Sequence, residues 1–197
     1  MERIPILSDA VLFDKAVADL QRELGKISWL DHIFGICERN TRIIDGTRCN
    51  IATVYTGGNQ YEQIEPCSKL GNFCFFYLRD PQDFLPNDRQ RMQSPISAIF
   101  WFDMRTAGNS PNARNREAVK AEVLNLLRES HLPGGIFQWS RVYEEPRNVF
   151  ADFSYDHVDN QFLMHPYAGF RVDATLYADL PCEVPASTPT PEPVDNE

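Results

Sequence analysis

Between residues 9 and 27 the apolar side chains fall at Phe13, Ala16, Val17, Leu20, Leu24 and Ile27, a three-and-four spacing that brings them onto one face of a helix. Ser8 or Asp9 is expected to cap its start, because a short side-chain oxygen accepts from a free amide of the first turn. A helix with a single apolar stripe must cover a sheet or another helix. Trp29, Leu30, Ile33, Phe34 and Ile36 follow as a dense patch that either extends the helix by a turn or opens the first strand. From Arg42 to Tyr55, two runs rich in Ile, Thr and Val flank Asp45-Gly46, which is a hairpin signal. Gly57-Gly58-Asn59 breaks it, and the polar stretch 60–70 with Pro66 reads as loop. Phe73 to Leu78 is a short buried strand, and residues 80–95, with three prolines, read as an exposed loop.

The second half alternates more cleanly. Ile96 to Arg105 is apolar on both faces through its middle, so it belongs in the centre of a sheet. Ser110-Pro111 supplies an N-cap and an N1 proline for a helix marked by Val119, Val123, Leu126 and Leu127, which ends before Pro133 and Gly134-Gly135. Ile136 to Tyr143, Val149 to Tyr155 and Phe170 to Leu180 are expected strands. In the last, Phe170, Val172, Ala174, Leu176, Ala178 and Leu180 share one face, while Arg171, Asp173, Thr175, Tyr177 and Asp179 share a polar one. The expected fold is therefore a single α+β domain over residues 1–180, a mostly antiparallel sheet with two helices packed on one face and long loops. Residues 181–197, with five prolines among small and acidic residues, read as a disordered tail.

Composition narrows the function. The chain has 197 residues, is 43% hydrophobic and carries a formal charge of −9; the tail's four acids contribute −4, leaving the folded body near −5. An acidic chain is a poor candidate for gripping duplex DNA, whose affinity comes from neutralised phosphates. The longest unbroken apolar run, Phe73 to Leu78, is six residues, too short for a membrane span, and no apolar leader follows Met1. Cys37, Cys49, Cys67, Cys74 and Cys182 contain no CxxC pair and read as reduced cytoplasmic thiols, several buried.

Chemistry is sparsely marked. The chain lacks a P-loop, a GxGxxG, a GxSxG and an HExxH. Asp156-His157-Val158-Asp159 with His165 brings two histidines and two acids within ten residues, a set that serves a metal or acid–base pair but also suits a polar hairpin tip. His32 beside Asp31, with Cys37, reads as a structural histidine rather than a nucleophile dyad, and Cys67 with Cys74 lacks zinc-site spacing. Gly57-Gly58 and Gly134-Gly135 read as turns rather than phosphate cradles. Arginine outnumbers lysine 15 to 4. Arg79, Arg89, Arg91, Arg105, Arg114 and Arg116 are the densest basic feature, either solvated or an interface that pairs with acids of a neighbouring subunit.

The order of elements resembles the small α+β fold of tail terminator and tail-completion (neck) proteins of tailed bacteriophages and prophages. Three passages are similar to prophage proteins encoded among tail genes. They are Ile33-Phe34-Gly35 with Arg42-Ile43-Ile44-Asp45-Gly46, the run from Val54 to Glu62, and the run from His165 to Asp173. The resemblance spans roughly residues 9–180. It implies a virion component assembled in the host cytoplasm, without enzymatic activity, metal or cofactor. Such a protein forms a ring, typically a hexamer, on the last ring of the tail tube, stops polymerisation and offers a docking surface to the neck or connector. DNA passes through its lumen without specific binding, a role that an acidic chain suits. Within this reading the arginines and the hairpin tip bearing His157 and His165 are candidate contacts with neighbours or tube. The alternatives are another head–tail connector protein, or a small metal-dependent hydrolase using His157 and His165.

Overall fold

A computed structural model describes residues 10–57, 60–67, 69–107, 116–130, 132–155 and 162–180. Its first element, helix α1 (Leu12–Leu24), buries the expected stripe of Phe13, Ala16, Val17, Leu20 and Leu24. It starts later than the periodicity predicts. Val11 holds the cap position without a side-chain acceptor, and Ser8 and Asp9 lie outside the described residues. The helix ends at Gly25, so the Trp29–Ile36 patch belongs to a turn and to the first strand rather than to a further helical turn.

That strand, β1 (His32–Ile44), joins β2 (Thr47–Gly57) through Asp45-Gly46. Both turn residues have positive φ, 49° and 78°, as a two-residue I′ turn requires, which is the conformation that Asp-Gly favours. The register runs from Ile44 opposite Thr47 back to Glu38 opposite Thr53. β3 (Gln60–Ile64) then folds back on β2, which corrects the loop expected over 60–70. Only Ile64 of this strand is buried, because it lies at an edge and gives the core almost nothing to read.

β4 (Phe73–Leu78) is as expected and pairs with β1 in parallel. The segment 80–95 is not a loop. β5 (Asp83–Leu85) turns into β6 (Asp88–Asp103), which begins eight residues before the expected start at Ile96. Helix α2 (Arg116–Glu129) buries Val119, Val123 and Leu127, while its expected cap at Ser110-Pro111 falls outside the described residues. β7 (Ile136–Tyr143) and β8 (Tyr167–Asp179) complete an eight-stranded sheet of order β3-β2-β1-β4-β6-β8-β7, with β5 paired to β6. The α+β class with a mostly antiparallel sheet is therefore observed. The strand expected over 149–155 is instead a short helix, α3 (Pro146–Val149), followed by turns.

β6 has apolar side chains on both faces because both faces are covered. On one, Ile96, Ala98, Phe100 and Phe102 pack beneath α1 and α2. On the other, Ile99 and Trp101 join Phe34, Phe73 and Phe75 under a cover made by Val149, Phe150, Phe153 and Tyr155. The misread strand is thus the lid of the second core. It is tied to the β2–β3 end of the sheet: Ser154 N–H donates to the Asn50 carbonyl at 2.7 Å, and the Tyr155 hydroxyl to the Ile64 carbonyl at 2.8 Å. Gly135 and Gly134 let the chain approach α1, where a Cβ on Gly135 would stand 2.8 Å from Ala16 Cβ and from the Tyr177 carbonyl. No described helix is long and apolar enough to cross a membrane.

Candidate functional site

The arginines that cluster in sequence separate in space. Arg79, just past β4, reaches Asp173 of β8 at 3.1 Å. Arg91 and Arg105 lie at opposite ends of β6, the first bonded to Asp179 at 2.7 Å and the second forked onto Asp103 through Nε and Nη2 at 3.0 and 2.5 Å. The Arg105 hydrogen bonds hold the Asp103 carboxyl below the usual carboxylate range. Arg116 of α2 meets Glu144 at 2.7 Å, beside Lys120, which binds the same carboxylate. Each of these four has an acid partner within its own chain. The Arg89 side chain and all of Arg114 lie outside the described residues.

Sequence reasoning missed the most constrained charges. Arg171 and Asp173 stand on the polar face of β8, but the lid buries them, leaving the Arg171 side chain 7% exposed. Arg171 Nε faces Asp173 Oδ1 at 3.0 Å, its Nη1 stands 3.6 Å from Asp152, and its guanidinium lies 4.6 Å from the Tyr143 ring centroid. Ser97 donates to the same Asp173 oxygen at 2.7 Å. Two arginines and two aspartates thereby join β4, β6, β8 and the lid with no net charge. Their trace in the sequence is an Arg-x-Asp pair on the polar face of an alternating strand, which reads as solvent-facing until the lid is in place.

The histidine reading is only half placed. His157, Asp156 and Asp159 lie outside the described residues, while His165 is exposed at the turn before β8. Among the described residues no group of three or more His, Cys, Asp or Glu side chains is arranged to hold a metal. His32 stacks on Phe34, with ring centroids 5.8 Å apart. Cys37 and Cys74 are sealed in the two cores, where burial pushes both thiols well above the ordinary cysteine range, so neither is an activated nucleophile. The Gly134 amide is occupied by Asp19 at 2.9 Å, so this glycine pair binds the protein's own carboxylate. Brief iodoacetamide treatment of the native protein is expected to alkylate exposed Cys67 and to spare Cys37 and Cys74. Peptide mass spectrometry reads this directly, and labelling of Cys37 as fast as Cys67 would refute its burial.

The surface does offer exposed apolar side chains and sheet edges. Among the described residues β3 and β7 each pair with one neighbour, at opposite ends of the sheet. Tyr55 and Tyr61 are exposed and packed together beside the β3 edge, and Ile136 and Val142 are exposed on β7. Beyond Cys37, where pairing with β4 stops, β1 continues with β2 as an arm whose Ile43 is 79% exposed. Between α2 and β7 runs a groove of about 800 Å³ lined by Leu124, Leu127, Leu132, Ile136, Phe137 and Trp139. No protein-family model, curated protein or solved structure matches this chain.

Proposed function

We propose that the protein is a non-enzymatic structural component of a phage virion. It forms a ring at the head-proximal end of the tail, ends polymerisation of the tail tube and presents a surface to the neck. The observation that carries this reading is that β3 and β7, at opposite ends of one sheet, each have a single strand neighbour among the described residues. A head-to-tail contact joins two different surfaces of the same subunit and closes into a ring when its rotation permits. Antiparallel or parallel pairing of β7 with the next subunit's β3 satisfies both rows of main-chain groups at once. The arm with Ile43 at its tip adds a projecting contact, and the net charge of −9 favours a lumen through which DNA slides.

Native mass spectrometry of the purified chain, alone and with tail-tube protein, is expected to give a closed ring, with six copies the expected number. Electron micrographs should show it capping tube ends. Ile136→Lys combined with Val142→Lys charges the β7 edge at two exposed positions; at equal protein concentration it is expected to lower the ring population by about tenfold or more without moving the unfolding midpoint. A chain that stays monomeric both with and without tube protein overturns the proposal.

A further inference from the structure

We propose that the groove between α2 and β7 is the seat of the chain's own proline-rich segment, residues 181–197. This inference does not depend on the ring assignment: the groove is lined from α2 and from β7, and of the two edge positions charged above it includes Ile136 but not Val142.

Four observations point to this occupant. The first is position: Tyr177 lies opposite Ile136 at the mouth of the groove, and Leu180, whose N–H is held by the Gln90 carbonyl at 2.7 Å, is the last described residue. Three residues span at most roughly 10 Å, so the segment sets out from beside the groove. The second is length. Seventeen residues follow Leu180, and as polyproline II, at about 3.1 Å per residue, they reach roughly 50 Å, several times the stretch of β7 from Ile136 to Trp139.

The third observation is the chemistry of the wall. Phe137 and Trp139 stack with ring centroids 5.3 Å apart and planes within 11°. Trp139 donates its indole N–H to the Leu127 carbonyl at 3.2 Å, which fixes the ring and leaves no polar demand on the occupant. Aromatic-lined grooves of this kind take proline-rich segments, whose preset backbone costs little entropy on docking. The segment supplies Pro181, Pro185, Pro189, Pro191 and Pro193. The fourth is charge: Arg128 stands largely exposed at the rim, in a 3.3 Å pair with the equally exposed Glu129 that an acid of the segment would exchange for its own, and the segment carries Glu183, Glu192, Asp195 and Glu197 with no base.

The test uses the full chain with Cys67→Ser, Cys182→Ser and Thr190→Cys, which leaves one accessible thiol for a nitroxide. Paramagnetic broadening is then read on the Trp139 indole and on the Leu124, Leu127 and Leu132 methyls. Strong broadening is expected there. Adding Pro185→Gly, Pro189→Gly and Pro191→Gly is expected to reduce it about threefold or more, because ring contacts and the preset backbone are both lost. Equal broadening with and without the glycine changes overturns the proposal. A mixture of spin-labelled, unenriched chain with isotope-enriched, unlabelled chain is expected to show no broadening. Broadening in that mixture assigns the groove to a second copy and likewise overturns it.

Discussion

Asp173→Ala is expected to cost about 3–5 kcal/mol of folding stability, the range for a buried ion pair that loses one partner. The loss comes less from the missing attraction than from what remains. Arg171 is held in the lid core with its guanidinium over Tyr143 and its Nε 3.0 Å from the vacated Oδ1 position, and it cannot shed its proton at any accessible pH. Ser97, which is fully buried, loses its acceptor at the same time. Asp152 offers partial compensation to Arg171 at 3.6 Å, and Arg79 is exposed enough to turn toward water. Two further variants separate charge from shape. Asp173→Asn keeps an oxygen for Ser97 but leaves Arg171 uncompensated, so most of the loss should persist. Arg171→Met in the Asp173→Ala background removes the stranded cation and should recover at least half, since apolar replacement of a whole buried pair is close to neutral. Urea unfolding with an unchanged slope measures all three. A loss below about 1 kcal/mol for Asp173→Ala, the range of solvated pairs, would mean that water reaches Arg171 in solution.

The burial of the same pair is not written in the local sequence. Strands whose partners lie on both sides carry their own record: β4, β8 and the second half of β6 alternate or stay apolar, and Asp45-Gly46 names its turn because few other residues tolerate two positive φ values in succession. Edge strands leave a thinner record. β3 reads Gln60-Tyr61-Glu62-Gln63-Ile64 because one flank and most of its side chains face solvent, and the first half of β6 was hidden by the prolines around it, although Pro95 sits in the strand opposite Thr175. The lid was misread for another reason. Val149, Phe150, Phe153 and Tyr155 are as apolar as a strand, but they are spent on plugging the second core from a series of turns. Without that lid in view, the polar face of β8 had no visible reason to be buried. The described arginines, near one another in sequence, are carried to the two ends of a long strand and to a helix. The end strands of the sheet and the groove depend on topology, and neither is written in a local motif.

Asn72→Asp is expected to cost about 4 kcal/mol at neutral pH, and Asn72→Ala about 2–3, although position 72 carries no sequence signal at all. Its side chain knots three segments that meet only in the folded state. The amide nitrogen donates to the Trp29 carbonyl at 2.8 Å and to Thr106 Oγ1 at 3.0 Å, while the amide oxygen accepts from Asp103 N–H at 2.8 Å. Its backbone adds three more bonds to the same junction, donating to Asp31 Oδ2 and accepting from the N–H groups of Asp31 and His32. Truncation to alanine strands the Asp103 amide and the Trp29 carbonyl in a buried position. The isosteric acid is worse, because it sets a carboxylate oxygen against the Trp29 carbonyl, with no donor to give, at a residue only 2% exposed. Burial raises the folded-state pKa of such a carboxyl above its unfolded value. The folded state then binds the proton more tightly than the unfolded one, so the penalty is full at pH 7 and shrinks as pH falls through the folded pKa toward the ordinary carboxylate value of about 4. The deficit of Asn72→Asp relative to wild type, followed by urea unfolding from pH 7 to pH 4.5, should therefore narrow with acid, whereas that of Asn72→Ala should stay constant. Parallel pH profiles for the two variants would show that the position is solvated and that the three segments are joined by packing alone.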